Sequence, residues 1–553
     1  MSRRAAGRPT RLLAYALWGT FFIYALVLLW AQSWNRPFQV DEVEHVHAAY
    51  NVSIGKLIYE DFRQTHNPLL YFVLGPLVDP GDPVGTFRRA RSFTTALLMV
   101  HVALCGLCAW RLAGAAGGLL AAGLALVHTT FAERGLEVRT DGPMALCVTA
   151  ALWVELSGLE RLRRYCLEAL LLAVAFLTTN KASFACFAFG CLWLAAAARH
   201  RRFRLVALPM AVWILPLALA AAAMAAAGNL EEWVALNFVS AFDDVTRAAP
   251  HSQGFDLGPA ARHLARESGR NLLFCVLAVA GGLVAARRGL VFPVFLAAVL
   301  FASIWLNPFP YPYFHVTALP ASAVLAGVAG ARLCGALRLA PEATPSLFLA
   351  LAVLAGAAAQ SVPFLVGRAA PGDQPQFEAL REIRRVTEPD DAVFDMVGLY
   401  FRPDASRVYL MTGVTLQRYR RGRFPRIADE LRRSQAVAFV YNYRIGWLTG
   451  EEKRFLEEHF THYDGNLSLL GSMLPIEPGE SMTFEVLKAK PFRYDGRGAI
   501  LVDGRPFRRG WLERGPHVVT RVERAGRDRL IMDTPPPIPW PPRPPVELYD
   551  VFR

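Results

Sequence analysis

The sequence predicts a polytopic α-helical membrane protein with a soluble C-terminal part. Of its 553 residues, 54% are hydrophobic and 19% are charged, whereas an ordinary soluble protein carries about 25% charged residues. Long runs rich in Ala, Leu, Val and Phe lie between residues 12 and 366, and the remainder has a mixed composition. A membrane body followed by a soluble tail accounts for both features.

The apolar runs give the expected number of membrane spans. A spanning helix needs about 20 apolar residues, and about 17 suffice where packing allows. By this measure the chain has eleven candidate spans, some of them short. They cover residues 12–32, 92–110, 113–130, 142–158, 166–179, 182–198, 204–228, 271–286, 290–306, 316–334 and 345–366.

The basic residues predict the orientation of these spans. The formal net charge is +13, but the arginines cluster in short loops between apolar runs, where the positive-inside rule places them on the cytoplasmic side. We therefore expect no nucleic-acid partner, a cytoplasmic N-terminus and an inner-membrane location. The clusters are Arg3, Arg4, Arg8 and Arg11; Arg161, Arg163 and Arg164; Arg199, Arg201, Arg202 and Arg204; Arg287 and Arg288.

The extracytoplasmic face then receives residues 33–91, the short loops around Asp141 and Lys181, the long loop 229–270, residues 307–315 and the whole tail. Nearly all loop carboxylates and histidines collect there. Loop 229–270, with Asp243, Asp244 and His251, is long enough to serve as a lid.

The tail divides by pattern into two further domains after a membrane domain at residues 1–366. Residues 372–473 alternate amphipathic helices with apolar strands, which predicts an α/β domain. Residues 474–553 have short β-like runs and predict a small β module, ending in the proline-rich TPPPIPWPPRPP.

The first extracytoplasmic loop is the richest in chemistry. From Gln39 it reads QVDEVEHVHAAYNVSIGKLIYEDFRQTHNPLLY, with Asp41, Glu44 and His45 on one face if helical. Arg89 and Arg91 follow it, on a face that should be poor in cations, so we expect them to have a function.

Here the chain resembles the GT-C superfamily of lipid-carrier-dependent glycosyltransferases. It is most similar to the bacterial protein O-mannosyltransferase-like branch and, more distantly, to the lipid A aminoarabinose transferases. The resemblance rests on Asp41-Glu42, GKLIYEDFRQTHNPLLY, Arg91, RGLEVRTDGPMAL around Asp141, Lys181 and PYPYFHVTALP. It implies inverting transfer of a sugar from a polyprenyl-phosphate donor to an acceptor hydroxyl on a glycan, lipid or protein.

The resemblance also implies roles for two carboxylates. Asp41 matches the catalytic base, and Asp141 matches a residue that positions the acceptor or stabilises the reacting centre. Each has a structural alternative, since Asp is also a common residue at helix N-caps. Asp41 would then cap an Ala-rich helix, and Asp141 would cap the helix starting at Gly142 and Pro143.

A departing lipid phosphate needs cations. Arg89, Arg91, Arg139 and Lys181 are the candidates, because a guanidinium matches phosphate oxygens and Lys supplies a compact charge. Lys181 interrupts two apolar runs, where an ionisable residue is functional by default, although a short-loop Lys can also extend to the surface. Glu42 and His315 complete the candidate substrate-binding residues.

A divalent metal is an open question at the sequence level. Glu44 and His45 are weak candidate ligands, and no tetrahedral ligand set with fixed spacing is visible. Two other functions are kept open. A transporter would also have many spans, but the acids lie at span ends and not at the midplane. An inactive glycan-binding or assembly protein would bind carrier lipid without turnover.

Overall fold

The computed structural model describes residues 8–239, 257–305, 312–337, 344–367, 372–523, 528–537 and 542–549. The central part of the predicted lid, with Asp243, Asp244 and His251, lies outside the described residues. The chain forms two compact units. The first contains residues 1–36, 64–76 and 88–371, and the second contains residues 37–63, 77–87 and 372–553.

Helices dominate the first unit and recur in the second. In chain order they are α1 Arg8–Asn35, α2 Val40–Ser53, α3 Leu69–Leu74, α4 Pro83–Val127, α5 Thr129–Arg134, α6 Asp141–Glu155, α7 Arg161–Thr178, α8 Ser183–His200, α9 Arg204–Ala226, α10 Leu230–Val234, α11 Leu257–Arg270, α12 Leu272–Arg287, α13 Val291–Trp305, α14 His315–Ala336, α15 Thr344–Gly367, α16 Gln374–Val386, α17 Gly413–Arg420, α18 Ile427–Ser434 and α19 Gly450–His459.

The predicted membrane body is confirmed, but its count of eleven spans is not. Among the described residues, six helices are long and apolar enough to cross a membrane, or seven if a bent pair at residues 264–287 counts as one span. The two counts differ in part because α6 and α13, at 15 residues each, are shorter than the about 20 residues that a spanning helix needs. Two further predicted spans share the single helix α4.

The longest helix is interrupted where two spans were predicted. Within α4, Gly114 has φ 72° and ψ −173°, which breaks the helix between the predicted spans 92–110 and 113–130. A side chain at Gly118 would lie 2.9 Å from the Gly106 carbonyl oxygen, so the two arms pack backbone to backbone. Glycine permits both the positive φ and the close approach.

The bent helix pair has a polar explanation. α11 and α12 meet at 98° around Asn271. The Asn271 amide nitrogen donates to Thr129 Oγ1 at 2.8 Å, its oxygen accepts from the Thr129 backbone N–H at 3.1 Å, and Glu267 accepts from Thr129 Oγ1 at 2.8 Å. These bonds satisfy polar groups that a broken helix exposes inside an apolar body.

The second unit contains the strands. They are β1 Val393–Phe394, β2 Ala438–Val440, β3 Phe460–Asp464, β4 Leu467–Met473, β5 Ser481–Val486, β6 Lys490–Asp495, β7 Ile500–Val502, β8 Arg505–Phe507, β9 Arg509–Leu512, β10 Gly515–Arg521 and β11 Arg529–Met532. A seven-stranded sheet has the order β1-β2-β4-β11-β6-β9 with β3 on β4, and a four-stranded sheet has the order β5-β10-β7-β8.

The larger sheet is mixed. β1 and β2 are parallel, with Val393 opposite Ala438, and the other pairs are antiparallel. The predicted alternation of α16, β1, α18, β2, α19 and β4 is observed. β11 then joins β4, so this sheet continues across residues 473 and 474. The predicted domain boundary at that point stays a prediction.

The second unit also includes part of the first loop. α2 packs on the segment that follows β1: the Tyr50 ring stacks on the Phe401 ring with centroids 4.7 Å apart, and the His47 ring meets the Tyr400 ring edge-on at 4.7 Å. Helix α2 of the first extracytoplasmic loop therefore packs against residues of the tail within this unit.

Candidate functional site

A cluster of charged residues in the first unit surrounds Asp141. The irregular segment 135–140 precedes α6, which begins at Asp141. The Asp141 carboxylate is 3% exposed and accepts from Lys181 Nζ at 2.7 Å. Arg139 Nε lies 3.5 Å from its other oxygen. The structure thus brings together three residues that the sequence proposed separately.

The Asp141 side chain does not act as a helix cap. Thr140 is the N-cap residue of α6, and no side chain caps the helix there. Burial opposes ionisation of Asp141, but the charges of Lys181 and Arg139 outweigh it and hold the pKa of Asp141 below its ordinary value. Asp141 is therefore a carboxylate that sets the position of two cations.

Aromatic rings cover the same two cations. The guanidinium carbon of Arg139 lies 3.5 Å from the centroid of the Tyr313 ring. Lys181 Nζ lies 4.1 Å from the Phe314 ring centroid and 4.8 Å from that of Tyr313. All three distances are within the range of cation–π attraction, which is stronger where water is excluded. Tyr313 and Phe314 come from the PYPYFHV segment that sequence analysis singled out.

Further ion pairs extend this cluster, and sequence analysis missed them. Glu137 Oε1 lies 2.9 Å from Arg36 Nη2 and 2.7 Å from Arg134 Nη1. Arg139 Nη1 lies 3.7 Å from Glu137 Oε2, and Arg36 Nη1 lies 3.8 Å from Glu133. The available signal was the charged alternation Glu137, Arg139, Asp141 in a stretch otherwise surrounded by apolar runs.

The cluster contains several buried cations. It combines Arg36, Arg134, Arg139 and Lys181 with the carboxylates Glu133, Glu137 and Asp141. Arginine and lysine donors held in one buried network suit the oxygens of an anionic ligand.

A narrow apolar pocket opens beside Lys181. Side chains from α6, α8, α13 and α14 line it, including Met144, Val148, Phe184 and Leu300, with Lys181 among them. A cation next to an apolar channel suits a ligand with a charged head and a hydrocarbon chain. The other sequence-predicted cations have different surroundings.

Arg91 binds the end of α1. It is 1% exposed, and its Nη1 donates to the carbonyl oxygens of Ser33 at 3.2 Å and Arg36 at 2.6 Å. Carbonyl oxygens at a helix end need such donors. Arg89 is exposed, and His315 is buried at the start of α14, with its ring edge-on to Phe301 at 6.4 Å.

The predicted base lies in the first turn of α2, in the second unit. Gln39 is the N-cap residue of α2, and its backbone N–H donates to the Glu42 carboxylate at 3.0 Å. Asp41 occupies the next helical position after Val40 and is half-buried. The capping task that sequence analysis offered as an alternative for Asp41 thus falls to Gln39 and Glu42.

The weak metal candidates, Glu44 and His45, are buried neighbours on α2. A ligand atom of each lies within 4.8 Å of the other, close enough for both side chains to reach one metal ion. The metal site stays a prediction. In the same unit Glu388, Asp390 and Asp391 form an acidic group, but Lys488 binds Asp390 at 2.9 Å and Asp391 at 2.7 Å. The positive charge of Lys488 therefore already offsets part of the negative charge of this acidic group.

A second buried ion network lies wholly within the second unit. Asp404 Oδ1 accepts from His47 Nε2 at 2.6 Å and from the Tyr400 hydroxyl at 3.0 Å. Asp404 Oδ2 accepts from Asn51 Nδ2 at 2.9 Å and Lys56 Nζ at 2.8 Å. Burial opposes ionisation, but His47 and Lys56 hold the pKa of Asp404 well below its ordinary value.

The chain matches no protein-family model, and no curated protein sequence matches it. Among solved structures it is similar to ArnT from Cupriavidus metallidurans. The ArnT crystal structure bound to undecaprenyl phosphate gives a TM-score of 0.53 at 14% identity, covering 82% of this chain and 97% of ArnT. The apo ArnT structure gives 0.53 and 14%, covering 83% and 98%.

A more distant similarity is to the oligosaccharyltransferase AglB of Archaeoglobus fulgidus in complex with an inhibitory peptide and a dolichol-phosphate. The TM-score is 0.47 at 11% identity, covering 80% of this chain and 72% of AglB. The likeness to ArnT covers about four fifths of this chain and nearly all of ArnT, and it establishes the fold.

Proposed function

We propose that this chain, which has the GT-C fold, transfers a sugar from a polyprenyl-phosphate carrier to an acceptor hydroxyl at the extracytoplasmic membrane surface. The fold supports the proposal, since ArnT has the same fold and binds undecaprenyl phosphate. The observation that carries the proposal is the position of Lys181, which is paired with Asp141 at 2.7 Å beside an apolar pocket.

The charged cluster suits a leaving lipid phosphate. Negative charge on the phosphate increases as the bond from its bridging oxygen to the anomeric carbon breaks, so fixed cations stabilise the transition state more than the ground state. Lys181 supplies a compact charge and Arg139 a planar guanidinium, and the apolar side chains beside Lys181 offer a surface for the start of the carrier chain. Asp141 keeps Lys181 in position.

We assign the base to Asp41. A polyprenyl phosphate is a good leaving group, so the reaction needs one base for the acceptor proton and no general acid. In an inverting step the acceptor oxygen attacks the anomeric carbon, the carboxylate takes its proton, and the carrier phosphate leaves. Support for Asp41 comes from its match to the family position and from the capping of α2 by other residues.

The proposed orientation places the N-terminus in the cytoplasm of the cell and the second unit outside the inner membrane. It rests on the arginine clusters in the short loops. Glycan, lipid and protein acceptors all offer a hydroxyl, and the acceptor panel of the experiment separates them. Glu42, Arg89, Arg91 and His315 remain proposed substrate-binding residues, with Arg91 also a structural donor to α1.

The test uses purified full-length protein in lipid nanodiscs with a panel of polyprenyl-phosphate sugars and with membrane extract as acceptor. We expect sugar transfer or release by the wild type. We expect Asp41→Asn to lower turnover by about 10²–10⁴-fold, the range for loss of a general base, with carrier binding unchanged. Glu60→Gln, an exposed acid in the same loop, is the matched control.

Two results would contradict the proposal. Carrier binding by a folded wild type without turnover of any sugar would favour a binding or assembly protein. Full activity of Asp41→Asn would keep the reaction and reject the assignment of its base.

A further inference from the structure

A groove on the second unit lies between the segment from α17 to α18 and helix α19. It encloses about 1180 Å³, open solvent included. One wall carries Tyr419, Arg420 and Phe424, and the other carries Arg454 and Glu458. The turn between the first wall's residues passes through Gly422, whose φ of +70° allows it.

The charges that line this groove balance. Four arginines face it together with four carboxylates, so the formal net charge of the lining is zero. The arginines are Arg420, Arg426, Arg432 and Arg454, and the acids are Asp429, Glu451, Glu452 and Glu458. A lining of this kind offers hydrogen-bond donors and acceptors in equal measure and has no electrostatic preference for a polyanion.

Aromatic rings lie among these charges. Phe424 is half-buried, and the Arg63 guanidinium covers it with 4.7 Å to the ring centroid. Arg432 covers Phe455 at the same distance, and Phe455 is itself buried and stacked on His459, so it forms the floor of the groove and not a contact surface. Tyr419 presents a third ring, and its hydroxyl accepts from the Ile427 backbone N–H at 3.1 Å, which fixes the ring. Rigid rings beside donors and acceptors suit a ligand with both apolar and hydroxylated faces.

Polar side chains of the groove can exchange their present partners for a ligand with little loss of free energy. Arg426 and Glu451 form an ion pair at 2.7 Å, but their side chains are 68% and 66% exposed. Exposed pairs contribute little to stability, so a ligand can replace them. Arg454 and Glu458 are exposed on α19.

We propose that this groove binds an oligosaccharide without excess negative charge. Sugar hydroxyls take donors and acceptors alike, and the C–H faces of the rings pack on aromatic side chains. Nucleic acid or an anionic membrane surface would select a basic lining, which this groove lacks. The inference concerns binding alone and stands whether or not the chain transfers a sugar.

The experiment measures binding of oligosaccharides of several lengths, neutral and acidic, to full-length protein in nanodiscs. A printed glycan array selects ligands, and saturation-transfer NMR measures their affinity. The groove variant is Arg420→Ala with Arg454→Ala. The control is Arg421→Ala with Arg433→Ala, which removes the same charge from exposed arginines outside the groove.

We expect the wild type to bind neutral oligosaccharides and the groove variant to bind them at least about ten-fold more weakly, as loss of charged hydrogen bonds predicts. The control should stay within about two-fold of the wild type. Glu458→Ala, which keeps both arginines, should weaken binding as well. The thermal midpoints of all variants should match, because these side chains are exposed.

Three outcomes would overturn the inference. The first is a wild type that binds no oligosaccharide on the array. The second is an equal loss in the groove and control variants, which would mean that bulk charge is responsible. The third is binding of acidic glycans alone with a steep dependence on salt.

Discussion

Asp141 in the first unit and Asp404 in the second are both buried carboxylates with a lysine partner, yet their surroundings differ. Asp404 accepts four hydrogen bonds of 2.6 to 3.0 Å, two on each oxygen. Asp141 has one short bond, from Lys181, while Arg139 lies 3.5 Å away.

The difference distinguishes a structural network from a candidate binding site. Around Asp404 every lone-pair direction is used, and the donors come from α2 and from the tail, so the network locks the first loop into the second unit. Around Asp141 the cations rest partly on the rings of Tyr313 and Phe314 and lie beside an apolar pocket. A ligand phosphate can gain from such cations, whereas it gains nothing from a saturated carboxylate.

The largest expected effect is on the stability of the hydrogen-bond network around Asp404. Asp404→Ala removes the shared partner of the buried His47 ring and the half-buried Lys56 ammonium. We expect the free energy of local opening of residues 40–56 and 395–411 to fall by about 3–5 kcal/mol. Hydrogen exchange with mass spectrometry on the full chain measures this. Glu60→Ala should change it by less than about 0.5 kcal/mol, and an equal fall in both would refute the structural role.

The next largest effect is on turnover, through the charged cluster around Asp141. Lys181→Met removes the phosphate partner beside the pocket and should lower turnover of the polyprenyl-phosphate sugar by about 10²–10³-fold. Lys181→Arg should recover part of this loss because it restores the charge. Arg288→Ala, an exposed cation in a short loop, serves as the control. Turnover at the wild-type rate by Lys181→Met would show that Lys181 does not serve the reaction.

A smaller effect on stability is expected from the packing around the Asp404 network. Gly398 has φ +96°, and a Cβ there would lie 2.7 Å from His47 Cγ. Gly398→Ala should therefore destabilise the same two segments by about 1–3 kcal/mol. Gly446→Ala, where nothing lies within 4 Å, should be close to neutral. Equal exchange rates in the two variants would show that the segments tolerate displacement.

The smallest effect is a pH dependence. The pKa of Asp404 is lower in the folded protein than its ordinary value of about 3.9, so its charge stabilises the fold above that pH. This contribution is lost as the pH falls below about 4 and the native carboxylate must be protonated. The difference in opening free energy between wild type and Asp404→Asn should be constant from about pH 5 to 7 and shrink below about pH 4. A difference independent of pH would mean that the charge of Asp404 does not contribute.

Much of the first unit could be predicted because a membrane body has a simple composition. Lys181 and Asp141 stood out as ionisable residues beside apolar runs, and the structure pairs them. Glu137 and Arg36 did not, because their meeting depends on how α1 ends and how the segment after α5 turns. The span count of eleven is not confirmed, because hydropathy cannot separate a short helix packed among others, such as α13, from one that crosses the membrane.

In the second unit the alternating helices and strands could be predicted, since apolar residues recur with different periods in amphipathic helices and in strands. The network around Asp404 could not be predicted from the sequence, because His47 and Asp404 are 357 positions apart and either could have paired with another residue.

The sequence alone predicts the class of this protein: a helical membrane body, a mixed α/β tail, and a few charged residues at the ends of apolar runs. Hydropathy and charge are local properties, so they can be assigned along the chain without knowledge of the fold. Which of these charges are fully hydrogen-bonded, and which lie beside a pocket, depends on the fold. Burial and distance depend on contacts between distant segments, and those contacts separate Asp404, which holds the fold, from Asp141 and Lys181, which we propose serve the reaction.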